Sequence, residues 1–403
     1  MKLSFSFILT LAFLSVFSQD VREVNINDIK DIDNITFERL YQEKWFEPDT
    51  LVYKNIYLAP NDVPQLSADE IKRRLIKIPS SIPLNYNSVV KSYIDKFSKF
   101  DRKNLATALG LGTYYFPLFE EALYKNGVPL DFKYLPIVES NMNPFAKSYA
   151  GAQGMWQFML STGKIFGLEV NDYYDERRDP AIATEAAAKY LKKLYNIYDD
   201  WLLALAAYNA GPGNVNKAIA RANGVKDFWE IRPYLPRETQ EYVPKFTALV
   251  FVMNNADYYK ITPLKPLDDL IETDTFKIYH KVSLKYILEL SGMDSSYLYF
   301  VNPAIKQGII PENENGFTLN IPLNYIGHFE ALRPFFADDP YLKTVEAIVK
   351  EPAVPKYTVY KVKSGDTLGH IAQKYNVGVS NIKRWNKLSS DRLKIGQKLI
   401  IYN

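Results

Sequence analysis

Between Ser88 and about Met253 the apolar residues fall at helical spacing, and after about Pro263 they fall in short runs of strand type; that change of texture constrains the chain more than its composition does. The helical stretch opens with Val89, Val90, Tyr93, Ile94 and Phe97 at three-to-four spacing, which predicts an all-α domain. Asp179 followed by Pro180 offers an N-cap and a proline at the first helical position, so a long helix is expected through Ala186, Tyr190 and Leu194. Another is expected from near Trp201 through Ala204, Leu205 and Tyr208, stopped by Gly211-Pro212-Gly213. At 403 residues the chain exceeds what one core organises, so two or three domains are expected.

The second half contains two segments that read as copies of one unit. Phe276-Lys277-Ile278 parallels Tyr357-Thr358-Val359, Ser283-Leu284 with Ile287 parallels Thr367-Leu368 with Ile371, and Asn302 parallels Asn386. Ser283 to Asn302 and Thr367 to Asn386 each span 19 positions, and each copy ends in a β-rich run, Phe317–Ile321 and Gln397–Tyr402. The first copy lacks the Gly-Asp turn of the second and carries a longer insertion, so it reads as degenerate; chance similarity is the alternative. Pro334–Pro355, with Asp338-Asp339-Pro340 and Pro352-Ala353-Val354-Pro355, is the best linker candidate. Residues 19–89, with scattered prolines and no sustained period, read as an irregular N-terminal arm with a short helix at Ala68–Leu75.

Residues 1–18 read as a secretory signal peptide: Lys2 precedes an apolar run from Leu3 to Phe17, with cleavage expected near Ser18. A retained anchor is the alternative, but a span wants about 20 continuous apolar residues. Export to a periplasm or cell envelope is therefore expected, with outer-membrane association left open. Cysteine is absent, which excludes disulfides, a thiolate nucleophile and a lipid-bearing cysteine, so any membrane association would need another route. The formal charge of +3 gives no argument for nucleic acid. From Lys356 onward, however, ten Lys/Arg face two acids, a basic balance suited to an anionic polymer, or simply a solvated surface.

Three features of the helical region stand out for chemistry. The first is Tyr134-Leu135-Pro136-Ile137-Val138-Glu139-Ser140, followed by Ser148 and Gly151-Ala152-Gln153-Gly154-Met155-Trp156-Gln157-Phe158-Met159. The second is Ala206-Ala207-Tyr208-Asn209-Ala210-Gly211, and the third is Glu238-Thr239-Gln240-Glu241-Tyr242-Val243. Glu139 ends an apolar helical run, and a carboxyl against an apolar wall loses solvation of its charged form, so it can hold a proton near neutral pH. A poor leaving oxygen such as that of a glycosidic bond needs such a proton. Taken locally, the plainer role of capping a loop or pairing with an arginine weighs more. Asp175, Glu176 and Asp179 read as a helix-dipole and ion-pair cluster with Arg177 and Arg178.

Taken in order, the three motifs together with Asp175-Glu176-Arg177-Arg178-Asp179-Pro180 resemble the lysozyme-like catalytic domain of bacterial lytic transglycosylases, placed at residues 90–262. The resemblance implies a mainly α lysozyme-like fold with Glu139 as sole catalytic acid/base. It places Ser148, Gln157 and Met159 at the sugar subsite, Tyr208 and Asn209 along the cleft, and Glu238 and Tyr242 closing it. Leu160 departs from the pattern, standing where proline commonly follows Gln-Phe-Met. The implied reaction protonates the oxygen between N-acetylmuramic acid and N-acetylglucosamine, then directs the muramoyl C6 hydroxyl onto C1 to leave a 1,6-anhydro end. Such a reaction consumes no water and needs no second carboxylate, no metal and no cofactor. The three histidines, His280, His328 and His370, lie outside the helical region and are excluded as its base.

Residues 356–403 resemble a LysM domain, a small α+β module of βααβ order, and residues 271–325 would be its degenerate counterpart. The resemblance implies glycan binding at Gly365, Asp366, Thr367 and Leu368, with peptidoglycan strands as partner; Gly365 and Asp366 or Thr367 also suit a tight turn and a helix cap. Two alternatives stay open, a hydrolytic lysozyme-type muramidase and a wall-binding protein with an inactive cleft.

Overall fold

A computed structural model describes residues 50–265, 272–338, 342 and 357–402 apart from 364, 376, 387, 389 and 395. The signal-peptide reading, the first part of the arm and most of the linker reading lie outside the described residues. The chain divides into two compact units, Met1–Tyr341 and Leu342–Asn403.

The first unit is mainly helical. It runs through α1 (Thr50–Ile56), α2 (Ala68–Lys77), α3 (Ser88–Lys99), α4 (Arg102–Lys125), α5 (Leu135–Ser140), α6 (Leu160–Ile165), α7 (Pro180–Tyr198), α8 (Trp201–Ala210), α9 (Pro212–Arg221), α10 (Phe228–Ile231) and α11 (Arg237–Asn254). Several starts have a local cause. Asn87 caps α3 by accepting from the Val90 amide, Asp179 caps α7 through the Ala181 and Ile182 amides, and Asp200 caps α8 through that of Leu203. Gly211, at φ 80°, ends α8 while Pro212 opens α9, so the Gly-Pro-Gly segment is a joint between two helices and not only a stop. Helix α8 is buried from Trp201 through Ala207, as expected for a helix apolar all round. It packs on α7, α9 and α11, and α11 lies along α3.

The described part of the N-terminal arm is not irregular. Val52, Ile56, Val63, Ile71, Leu75 and Ile82 are buried in the helical core. Arg102, itself buried, donates to the carbonyls of Asn55, Ser98, Tyr259 and Lys260 at 2.7 to 2.9 Å, stitching the arm to both ends of the helical region. The many charges of α2 and the prolines around it hide this burial in the sequence, since only two residues of α2, Ile71 and Leu75, face inward.

The same unit continues into a small α+β element with its own core. Strand β1 (Thr273–Ile278) pairs antiparallel with β4 (Phe317–Pro322), from Thr273 opposite Pro322 to Ile278 opposite Phe317. Between them lie β2 (Val282–Ser283), α12 (Leu284–Ser291), α13 (Ser295–Val301) and β3 (Ile309–Ile310), which pairs with β2. The element extends past residue 325: α14 (Ile326–Leu332) and the 3-10 turn at Arg333–Asp338 bring Phe329 and Phe336 against Phe276. The start of the expected linker is therefore structured, because Phe336 is a core residue.

The second unit contains β5 (Tyr357–Lys361), α15 (Leu368–Lys374), α16 (Val379–Trp385) and β6 (Lys398–Tyr402), with β5 and β6 antiparallel. Val362, Leu368, Ile371, Ala372, Ile382, Leu399 and Ile401 form its core.

Candidate active site

Glu139 occupies the last turn of the short helix α5, whose Leu135, Pro136 and Ile137 are buried. The chain then reverses sharply. Asn141 and Met142 both adopt left-handed backbone, φ 52° and 61°, and their amides return to the carbonyls of Ile137 and Pro136. A non-glycine residue such as Met142 enters that region only under constraint, so the turn that presents Glu139 is fixed by its surroundings.

The three sequence motifs converge here through named bonds. The Tyr242 hydroxyl donates to Glu139 Oε1. Ser140 Oγ donates to the Met155 carbonyl at 2.9 Å, and the Tyr208 hydroxyl donates to that of Trp156 at 2.7 Å. Thr239 Oγ1 donates to Asn209 Oδ1 at 2.8 Å, joining the second motif to the third. Trp156 is fully buried and its indole N–H donates to Thr184 Oγ1 at 2.8 Å, which anchors the first motif to α7.

Glu139 is half-buried. Burial pushes its pKa up to about 7, against the opposing pull of the Tyr242 hydrogen bond and the Lys245 ammonium, while the charge of Glu238 adds to the rise. Burial also drives the phenols of Tyr208 and Tyr242 well above their ordinary range, with the Glu139 charge adding to both, so each stays protonated. Lys245 is depressed by its own burial, and its Nζ reaches the Val138 carbonyl at 3.5 Å. Lys245 is the site residue the sequence reading missed; its position one turn after Tyr242 on α11 was the available signal.

The other expected residues are placed variously. Ser148 Oγ accepts from the Ala152 amide at 2.9 Å, and Gln157 Nε2 donates to the Ala146 and Gly154 carbonyls at 3.2 and 2.8 Å, so both shape the loop that carries them. Gln157 is left-handed at φ 50°, and Met159 is 42% exposed beside it. Glu238 is exposed in the first turn of α11. Of the acidic cluster, Asp175 is buried in a bidentate pair with Arg177 (2.9 and 2.6 Å), and Asp179 is the α7 cap.

In the second unit Gly365, at φ 87°, makes the turn. Asp366 Oδ2 accepts from the Tyr360 hydroxyl and the Lys363 amide at 2.8 and 2.7 Å, and Thr367 caps α15. Leu368, expected with them, is 3% exposed and belongs to the core of the unit. An apolar side chain that opens an amphipathic helix is drawn inward.

The mainly α first unit and the small α+β second unit each match a domain family: the Transglycosylase SLT domain matches residues 117–231 and the LysM domain residues 360–401. The chain is 34% identical over 281 residues to membrane-bound lytic murein transglycosylase D of Escherichia coli K12, an alignment covering 69% of this chain and 61% of that protein, less than two thirds of its length. A 120-residue stretch is 40% identical to the peptidoglycan transglycosylase gp16 of phage T7, covering 29% of this chain and 9% of that one. Among solved structures, the 70 kDa soluble lytic transglycosylase of Escherichia coli matches with a TM-score of 0.32 and 22% identity, over 44% of this chain and 33% of that one.

Proposed function

We propose that the chain is a lytic transglycosylase that cuts the bond between N-acetylmuramic acid and N-acetylglucosamine in peptidoglycan without water, outside the cytoplasm, in remodelling or turnover of the wall. One observation carries this reading: a single carboxyl, Glu139, poised to titrate at about 7 and held by the Tyr242 hydroxyl. Protonated Glu139 gives its proton to the glycosidic oxygen as the C1–O bond breaks. Its carboxylate then takes the proton of the muramoyl C6 hydroxyl as that oxygen bonds to C1, which restores the acid and balances the reaction. Tyr242 steadies the carboxylate between the two steps.

A two-carboxylate hydrolase would need a second free acid near the bond. Asp175 is paired with Arg177 and Asp179 is spent on a helix cap, which leaves Glu238, exposed at the cleft border, as the acid whose part as a second carboxylate is read from the products. In this reading Ser148, Gln157 and Met159 line the sugar subsite, Tyr208, Asn209 and Glu238 border the cleft, and residues 357–402 hold the enzyme on glycan strands through the Gly365–Thr367 turn. No cofactor takes part.

The test is mass spectrometry of muropeptides released from purified peptidoglycan by the wild-type chain and by Glu139→Gln. Anhydro-muramoyl products that vanish in the variant are expected; reducing-end products would make the enzyme a muramidase, and no products from either would leave a binding protein.

A further inference from the structure

The internal α+β element and the C-terminal unit share the order strand, helix, helix, strand, and one asparagine is bonded alike in both. Asn302 Nδ2 donates to Leu298 O and Asn320 O while its Oδ1 accepts from the Asn320 amide; Asn386 repeats this with Ile382 O, Ile400 O and the Ile400 amide. The asparagine and its strand partner are 18 residues apart in the first and 14 in the second. The longer connection folds back on its own element, pairing Ile309–Ile310 with Val282–Ser283. Its near end turns outward. The Ala304 carbonyl accepts from the Asp175 amide at 2.8 Å, the Lys306 amide donates to Tyr173 O at 2.6 Å, and Lys306 Nζ donates to Asn171 O at 2.7 Å. Tyr174 packs against Phe317 with ring centroids 5.9 Å apart, and Phe300 and Val301 of α13 are buried in the helical core.

What this contact holds is Asp175. Its carboxylate grips Arg177, whose Nη1 donates to the Gly151 and Phe158 carbonyls at 3.1 and 3.2 Å, at the two ends of the loop that also carries Gln157. Gln153, with its side-chain oxygen turned toward Arg178, accepts from Nε at 2.8 Å and Nη2 at 3.1 Å. A bidentate guanidinium pair fixes direction as well as distance, and a binding group must be held to within a fraction of an ångström.

We propose that the internal element is a positioning brace: through Ala304–Lys306, Asn171–Asp175 and Arg177 it sets the loop of residues 148–158 against the cleft. The importance of that loop for sugar rests on the function proposed above; the mechanical coupling does not.

The experiment compares the full chain with Lys306→Pro, which removes the amide donor to Tyr173 and the ammonium on Asn171, and with Lys306→Met, which removes the ammonium alone, using hydrogen exchange and kinetics on soluble glycan chains. Lys306→Pro should speed exchange of amides in 148–158 about tenfold or more while α8 keeps its protection. KM should rise about tenfold with kcat changed less than about threefold, Lys306→Met should be intermediate, and Lys306→Arg should behave as wild type. The proposal is overturned if amides of 171–175 exchange faster while those of 148–158 do not. Should Lys306→Pro fail to fold, Lys306→Met decides by the same comparison. Should no form of the chain cleave glycan, the exchange result still decides the brace while the function proposed above falls.

Discussion

At the scale of single residues the site turns on how one carboxyl is kept protonated. Glu139→Gln keeps the shape and removes the proton, so the rate should fall by about 10²- to 10⁴-fold, read from anhydro-product formation. The same variant should change stability in a pH-dependent way. Folding raises the Glu139 pKa from 4.5 to about 7, so the folded chain binds the extra proton between those values. The stability tied to that proton is complete below about pH 4.5 and lost as pH rises through about 7. Glutamine carries no such dependence, so chemical unfolding should find the variant more stable than wild type at pH 8.5 but not at pH 4; equal differences at both would refute the burial account. Tyr242→Phe tests the other side of the balance. It deletes a donor that favours the ionised form, so the alkaline limb of kcat/KM, near pH 7 in the wild type, should move upward, with a lower maximum because the carboxylate loses its partner. Glu139 and Tyr242 were both singled out by the ordered set of motifs, since a glutamate closing Leu-Pro-Ile-Val reads locally as a cap or an ion-pair partner first. Lys245 carried only a weak signal, its place one turn after Tyr242, because the side chain of a lysine there can turn to the carboxyl or to solvent.

At the scale of elements, what positions Glu139 is a loop threaded past a cation. Gly154 lies at φ 83°, and a Cβ there would come within 1.8 Å of the Arg177 carbonyl oxygen, a backbone atom that cannot swing aside. Gly154→Ala should therefore cost about 2 kcal/mol or more in thermal or chemical unfolding and take activity with it. Gly151 gives the internal control. It has a similar φ of 89° but nothing within 4 Å of its Cβ, so Gly151→Ala should cost only the left-handed conformation, about 1 kcal/mol. Equal costs at the two sites would remove close approach as the reason for Gly154. The helices themselves were readable: Asp179-Pro180 begins one where the sequence says it should, and the helix expected from near Trp201 starts at Trp201, with Asp200 as its cap. The short helix expected at Ala68–Leu75 forms as α2, and what the sequence hid is the burial of the arm, because α2 turns only Ile71 and Leu75 inward and most of its other residues are charged. The copies were readable through Asn302 and Asn386, whose bonding shows why an asparagine recurs there: it satisfies a strand edge and a helix end at once.

At the scale of the molecule the docking of the internal element was hard to see in sequence partly because several of its contacts are backbone atoms, the Ala304 and Tyr173 carbonyls and the Asp175 and Lys306 amides, which no side-chain pattern marks. The separateness of the C-terminal unit is different, because a second core can be read from its own apolar residues. The Val362, Leu368, Ile371 and Ile382 cluster shares no residue with the cores of the first unit, so removal of residues 342–403 leaves those cores whole. Such a truncation should unfold at nearly the wild-type temperature and cut soluble glycan chains at nearly the wild-type rate, since Glu139, Tyr242 and Lys245 all lie in the retained part. On insoluble sacculi its activity should fall by about tenfold or more, because tethering raises the local concentration of cleft and strand, a gain that can reach about 10²- to 10⁴-fold. The ten Lys/Arg against two acids from Lys356 onward give this tether a salt dependence that the cleft does not share. Raising salt should thus reduce sacculus cleavage by the full chain toward the level of the truncation, and leave the truncation itself little changed. Equal loss in both would place the salt sensitivity in the catalytic unit and remove the basic module as the anchor.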